Sequence, residues 1–483
     1  MRVENEYNTS MRIRTKILAT LGPATSSQEV LHRLVESGCD AFRINFSHGT
    51  YEQYAQLLDN IRTVESATGS PICVCADLCG PKIRVGVIKD GVVTLEAGKE
   101  ITIQRAVIEG TAQRISTTLG ELVDDVTPGE SILIDDGKLR LEVVRALPPD
   151  EVIARVVVGG ILSSGKGINL PHTQLKLSAL TEKDNRDAEW IAKHDFDYVC
   201  LSFVQHPDDI DALRELLVKN KCEAHIIAKI EKPQALEHLE AIVEVSDAIM
   251  VARGDLGVEM DFPSVPIAQK RMTKVAQRDG KPCIIATQML ESMITCPTPT
   301  RAEVSDVANA VFDHADAVML SGETAVGKYP VEAVTAMNRT IEAVQSYDSN
   351  PIAAFEKFPE KQQQATSAIA TAVEKIIEVD DIAAVAVFTI SGATARLMSK
   401  NRPPCPIIAL SPDIKTVRRM GLYYGVVARE GKRHTKTHQV LEEAARVAMK
   451  LDLAKPGEKI VVVMGRPLGN SGGTNTIVVH TVE

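Results

Sequence analysis

Tyr198-Val-Cys-Leu-Ser-Phe203 is followed by Pro207-Asp-Asp-Ile-Asp-Ala-Leu-Arg-Glu-Leu-Leu-Val-Lys-Asn220 and then by His225-Ile-Ile-Ala-Lys-Ile-Glu231. The first and third segments are short, β-rich apolar runs that predict buried strands, and the middle one carries a helical pattern. Strand, helix, strand is the unit of a parallel sheet, whose neighbouring strands need a crossover between them. The unit recurs from residue 15 to about 346. Strands are predicted at Thr15–Gly22, Cys39–Asn45, Ile72–Asp77, Tyr198–Phe203, His225–Glu231, Ala248–Arg253, Cys283–Gln288 and Ala317–Ser321. Helices are predicted at Ser27–Ser37, Tyr51–Ala67, Pro207–Asn220, Ser264–Asp279, Arg301–Asp313 and Pro330–Gln345, among others. Eight such units over about 240 residues match the count and length of a (β/α)8 TIM barrel. An open doubly wound sheet is the rival, disfavoured because no Gly-rich turn follows the first strand.

The alternation breaks off at Gly80 and resumes after Pro171. Between them lie short alternating runs such as Val92–Leu95, Ile101–Ile103, Ser131–Ile134 and Glu151–Val156, punctuated by Asp90-Gly91, Pro128-Gly129, Asp136-Gly137 and Pro149-Asp150. This is the pattern of a small β-barrel domain inserted in one βα loop, where it would overhang the C-terminal face of the barrel as a lid. After Pro351, the runs Ala384–Ile390, Pro406–Leu410 and Lys459–Met464 are separated by helical stretches that include Leu441–Lys450, and Thr476–His480 closes the series. That predicts an open α/β sheet. The expected domains are thus a barrel from 1–79 and 172–346, a lid from 80–171 and a C-terminal unit from 351–483.

Lys and Arg number 54 against 64 Asp and Glu, and the net charge of −10 comes with no basic block. Nucleic acid and anionic membrane are therefore excluded as general partners, and an anionic ligand must be held by a few placed cations. No apolar run reaches the ~18 residues of a membrane span, and the polar Met1–Ser10 lacks a signal sequence. Nine scattered cysteines fit reduced thiols in a cytoplasm. Cys73, Cys75 and Cys79 have the closeness of metal ligands, but Pro71–Asp77 alternates as a buried strand does and no fourth ligand is near, which favours a structural role.

A barrel builds its active site at the C-terminal ends of its strands. The predicted ends carry Arg43-Ile-Asn45-Phe-Ser47-His48, Asp77 running into Lys82-Ile-Arg84, Lys229-Ile-Glu231, Arg253-Gly254-Asp255, Thr287-Gln288 and Ser321-Gly-Glu323. Lys229 and Glu231 are two apart, so they share the lumen face. A barrel-filling ion pair would explain those two alone. Asp255 on the next strand adds a second carboxylate, the pair that suits Mg²⁺. With Arg43 and Lys229 beside it, the rim suits an anion bearing phosphate or carboxylate. Phosphoryl transfer and enolate stabilisation are both within the chemistry of such a set. Gly160–Lys166 resembles a P-loop only in part, because Gly167 and the extended Ile168–Pro171 follow; Lys166 remains a cation at the hinge.

Thr15–Ala24, Arg43–Gly49, Ala228–Glu231, Met250–Glu259, Ala286–Met293 and Met319–Ala325, in this order and with these gaps, resemble the pyruvate kinases over nearly the whole chain. The resemblance implies transfer of the phosphoryl group of phosphoenolpyruvate to ADP, giving pyruvate and ATP through enolpyruvate, the last step of glycolysis. It implies Glu231 and Asp255 as Mg²⁺ ligands, with Mn²⁺ as a substitute, Lys229 and Arg43 on the phosphoryl group, and Gly254, Asp255 and Thr287 around the substrate carboxylate. Asn45, His48, Arg84 and Lys166 resemble nucleotide contacts, and Thr287, Ser321 and Glu323 resemble groups that support protonation of the enolate. Asn45, Ser47 and Asp77 match the family's monovalent-cation region, but Lys82 stands where K⁺-requiring members carry Glu, so K⁺ is expected to be dispensable. Thr389, Ser391 and Thr394, with Arg466 in a nearby loop, are expected to bind a sugar monophosphate or AMP activator, against the simpler reading of a helix cap. A homotetramer is the family's usual assembly. Two other functions share parts of this pattern: a barrel lyase that uses a pyruvate enolate without nucleotide, and a catalytically inactive metabolite sensor.

Overall fold

The computed structural model describes residues 14–171, 173, 179–347, 364–469 and 473–483. The expected boundaries at residues 1, 172 and 351 lie outside the described residues.

Eight parallel strands close into a barrel: β1 (Lys16–Leu21), β2 (Ala41–Asn45), β3 (Cys73–Asp77), β4 (Tyr198–Leu201), β5 (His225–Ile230), β6 (Ala248–Ala252), β7 (Cys283–Ala286) and β8 (Ala317–Leu320). The helices begin where the sequence places hydroxyl caps. Thr50, Thr181 and Thr300 each accept the backbone N–H three residues on, and the residue there returns the bond, so two orphan donors are satisfied at each start. One face of each helix packs on the outside of the barrel, burying residues such as Leu31, Leu34, Leu58, Ile61, Leu213 and Leu217. The lumen is filled by Leu18, Cys73, Cys75, Tyr198, Cys200, Ile227, Met250, Ile284 and Met319. Cys73 and Cys75 are buried free thiols in this packing, and Cys79 is half-buried at the rim.

Six strands end before their predicted spans do. Gly22, Ser202-Phe203, Glu231, Arg253, Thr287-Gln288 and Ser321 were expected to continue β1, β4, β5, β6, β7 and β8, but they turn out over the rim instead. Phe203, Thr287 and Gln288 have φ of 57°, 69° and 55°, which no strand accommodates.

The insertion lies between β3 and β4 of the barrel, and its described elements run from Lys89 to Asn169. It forms a six-stranded sheet and a two-stranded ribbon around its own apolar core, a half-barrel rather than a closed one. One pair in it is parallel, Glu100–Gln104 with Arg114–Ser116. Asn169, near the return, donates to Glu259 on the barrel rim at 2.9 Å.

The C-terminal unit is a five-stranded sheet of β9 (Ile382–Phe388), β10 (Ile407–Ser411), β11 (Val426–Glu430), β12 (Lys459–Gly465) and β13 (Thr474–Thr481), ordered β11-β10-β9-β12-β13. Only β13 runs antiparallel. The helix expected at Leu441–Lys450 starts earlier, at Thr437. This unit closes the floor of the barrel. Leu422 is buried among the lumen residues, Tyr198 donates its hydroxyl to Arg419 O at 3.1 Å, and Arg418 pairs with Glu65 at 2.5 Å.

Candidate active site

The C-terminal ends of β2, β3 and β5 bring four ionised groups together. Arg43 donates to Asp77 Oδ2 from Nε at 2.6 Å and to Thr20 Oγ1 at 3.0 Å. Lys229 Nζ lies 2.8 Å from Glu231 Oε1, 2.7 Å from Ser202 Oγ and 3.4 Å from Asp77 Oδ1. The second Glu231 oxygen accepts the Phe203 N–H at 2.8 Å. Asp77 and Glu231 are buried and Arg43 and Lys229 half-buried, so these pairs are screened less than surface pairs.

Burial alone would push the Lys229 ammonium down, but Asp77 and Glu231 outweigh it and hold it above an ordinary lysine. Burial would raise Asp77, yet Arg43 and Lys229 bring it below the usual carboxylate range. Glu231 goes the other way: burial raises it, Lys229 opposes, and the nearby Asp255 charge raises it further. Glu231 and Asp255 thus repel one another across the rim. Two carboxylates at neighbouring strand ends, with room for substrate and water oxygens, are a donor set that Mg²⁺ accepts, so the residues present fit it. Among the described residues no cluster of three or more His, Cys, Asp or Glu forms a metal cage. A site that leaves most positions to substrate and water does not need one.

On the other side of the rim, β6 and β7 interlock. Thr287 Oγ1 accepts the Gly254 N–H at 2.6 Å and donates to Ala286 O at 2.6 Å. Arg253 donates to Thr287 O at 2.8 Å. A β-branched residue at φ of 69° is strained, and these bonds are what hold it. A Cβ on Gly254 would stand 3.3 Å from Thr287 Oγ1, so glycine keeps this backbone open.

Residues 12–334 match the barrel domain of pyruvate kinase, and residues 367–480 match its alpha/beta domain. The chain belongs to the pyruvate kinase family. A pyruvate kinase of Methylorubrum extorquens is 42% identical over 96% of both chains. One of Geobacillus stearothermophilus is 39% identical over 98% of this chain and 81% of its own. The crystal structure of a pyruvate kinase from Cryptosporidium parvum superposes with a TM-score of 0.92 at 33% identity, covering 98% of this chain and 97% of the other. The activity is that of the family, phosphoryl transfer from phosphoenolpyruvate to ADP, and pyruvate kinases generally use Mg²⁺.

The other residues expected at a pyruvate kinase site are spread around the same mouth. Lys82 Nζ stands 4.0 Å from Asp255 Oδ1. Arg84 donates to Gly165 O at 2.9 Å, and Lys166 pairs with Asp135 at 2.8 Å, so both cations sit at the base of the lid. Asn45 accepts the Ser47 N–H at 3.0 Å, and His48 is exposed beside them. Ser321 is half-buried with its Oγ enclosed. Glu323 is fully buried, and its two oxygens accept the N–H groups of Leu290 and Ser321 at 3.0 and 2.7 Å. It braces two loops. Ser202 and Thr20 were missed from the sequence: a hydroxyl beside an apolar run carries no signal until its partner is known.

In the C-terminal unit, Thr389, Ser391 and Thr394 line a cavity together with Lys432, Arg433 and His434. Thr389 accepts the Gly392 N–H at 3.0 Å, which is the capping job that competes with ligand binding. Arg466 is exposed and not among the residues that line this cavity, and Asn475 holds its backbone N–H and C=O at 2.9 and 2.7 Å. Residues 470–472 of its loop lie outside the described residues.

Proposed function

We propose that Arg43 and Lys229 hold the phosphoryl group of phosphoenolpyruvate while it moves to ADP. The observation that supports this most directly is the Arg43–Asp77–Lys229–Glu231 cluster, its carboxylates buried, at one end of the barrel. Glu231 and Asp255 would hold Mg²⁺ or Mn²⁺, which supplies charge neutralisation for the phosphoryl and enolate oxygens. The Gly254 and Asp255 N–H groups and the Thr287 hydroxyl receive the substrate carboxylate. The P–O bond to the enol oxygen breaks, a bond to the terminal ADP oxygen forms, and the enolpyruvate left behind takes a proton at its methylene carbon. Thr287 and Ser321 support that proton delivery, and Glu323 acts from behind by fixing Ser321. Asn45, His48, Arg84 and Lys166 contact ADP when the lid closes, Arg84 and Lys166 arriving from the lid itself.

Lys82 supplies the fixed positive charge at the monovalent-cation region of Asn45, Ser47 and Asp77, so K⁺ is not required. A phosphate-bearing activator, a sugar monophosphate or AMP, binds at Thr389, Ser391 and Thr394, with Lys432 and Arg433 supplying cations. The assembly is a homotetramer working in the cytoplasm; no helix among the described residues is long and apolar enough to cross a membrane.

The test is a lactate dehydrogenase-coupled assay with phosphoenolpyruvate and Mg²⁺, with and without ADP, with and without KCl, across a panel of sugar mono- and bisphosphates and AMP. Pyruvate release that needs ADP and disappears in Lys229→Met is expected. Release without ADP would favour the lyase, and full turnover of Lys229→Met would remove Lys229 from the mechanism.

A further inference from the structure

Ser202 and Phe203 leave the end of β4 in a turn that reaches the two working groups of β5 at once. The Ser202 hydroxyl takes an N–H from Lys229 Nζ at 2.7 Å, and the Phe203 backbone N–H goes to Glu231 Oε2 at 2.8 Å. Phe203 is a bulky residue at φ of 57°, a conformation that persists only where its surroundings impose it. The turn is packed from above by Gly80, the first residue of the lid stem. A Cβ there would stand 2.7 Å from Phe203 Cδ2 and 3.0 Å from Ser202 Cβ.

A serine hydroxyl has one proton and two lone pairs. Leu78 O lies 2.7 Å from Ser202 Oγ and Asp77 Oδ1 lies 3.4 Å away, so the proton goes to Leu78 O. A lone pair is then left for the lysine. The ammonium has three N–H groups, with partners at 2.7, 2.8 and 3.4 Å. The two short bonds fix its direction. The long one, to an Asp77 already paired with Arg43, is the weakest and the one a phosphoryl oxygen can replace.

We propose that Ser202 is a positioning residue for phosphoryl transfer: its hydroxyl, oriented by Leu78 O, holds the Lys229 ammonium while the Asp77 contact is exchanged for substrate. This rests on the assignment of Lys229 to the phosphoryl group. Loss of the hydroxyl removes one bond to a charged donor, so Ser202→Ala is expected to lower kcat about ten- to a hundred-fold while KM for phosphoenolpyruvate and ADP changes less than about three-fold. Ser202→Thr, which keeps the hydroxyl, is expected to regain most of the loss. The deciding experiment is a double-mutant cycle with Lys229→Arg, followed by both the coupled assay and thermal unfolding. If Ser202 acts through Lys229, Ser202→Ala costs little further turnover in the Lys229→Arg background. Full additivity of the two losses, or turnover of Ser202→Ala equal to wild type, overturns the inference. A parallel fall of thermal midpoint and kcat, undiminished in the Lys229→Arg background, also overturns it in favour of a packing role. Undiminished turnover of Lys229→Met would instead overturn the lysine assignment beneath it.

Discussion

Exchanging Lys82 for glutamate tests whether a built-in ammonium does the work of a monovalent cation. Its Nζ stands 4.0 Å from Asp255 Oδ1, and the two side chains are 37% and 30% exposed. Two unit charges at that distance attract by about 4 kcal/mol at an effective dielectric of about 20. With both heads a third in water, screening reduces this to about 1–2 kcal/mol. Removing the charge should therefore cost about five- to thirty-fold in kcat/KM for phosphoenolpyruvate, and reversing it should cost more. Lys82→Gln and Lys82→Glu are compared with the wild type in the coupled assay, in buffer free of Na⁺ and K⁺. Tetramethylammonium chloride holds the ionic strength constant while KCl is titrated. The wild type should be indifferent to KCl, Lys82→Gln partly dependent, and Lys82→Glu dependent on it for most of its rate. Many-fold activation of the wild type by KCl would refute the reasoning. So would a Lys82→Glu enzyme with undiminished, KCl-independent turnover.

Gly80→Ala places a methyl 2.7 Å from the Phe203 ring at a φ of 66°, which should cost about 2–3 kcal/mol of stability and displace the Ser202-Phe203 turn. Thermal unfolding and kcat should fall together, and an unaltered protein would show that the stem yields at no cost. Glu323→Gln replaces one acceptor oxygen with a donor facing the N–H of Leu290 or Ser321; a loss of about 1–3 kcal/mol in a denaturant titration is expected, together with reduced turnover. Acid should weaken the floor of the barrel. Burial, with Arg419 opposing Asp247, pushes the His225 imidazole down to about 4, and burial next to Arg402 does the same to His314. A folded pKa below the unfolded value means that the stabilisation is complete above about pH 6.5 and is lost as pH falls toward 4. His225→Asn should flatten the dependence of thermal midpoint on pH across that window; an unchanged slope would count against it.

The eight strands were legible because a barrel strand is buried on both faces and reads as an unbroken apolar run. Lys229 and Glu231 were legible as lumen neighbours because strand geometry repeats every two residues. Strand ends were not legible, since Phe203 and Thr287 take their left-handed conformations from bonds to Glu231 and Arg253, residues on other elements. Lys432-Arg433-His434 looks in sequence like any solvated charge run. Only the fold of β10 and β11 against Thr389–Thr394 turns it inward to a cavity. The holding of the Arg466 backbone by Asn475 was equally illegible, because it joins two residues nine apart across a sheet edge.

The charges at the barrel mouth also explain why Asp77 and Glu231, both buried and both touching Lys229, are displaced in opposite directions. Arg43 and Lys229 supply two positive charges, while Asp77, Glu231 and Asp255 supply three negative ones. Arg43 satisfies Asp77 closely, at 2.5 Å from Nη2, and Lys229 must then serve Glu231 while Asp255 pushes on it. The cluster is left with one negative charge in excess, which Lys82 meets only at 4.0 Å and partly in water. With Lys82 so weakly engaged, the cluster offers an anionic substrate little net attraction. On the proposed assignment, a divalent cation held by Glu231 and Asp255 would offset that excess, so substrate affinity is expected to depend on metal, whereas Arg43, held by Asp77 in either case, would offer the same directional contact throughout.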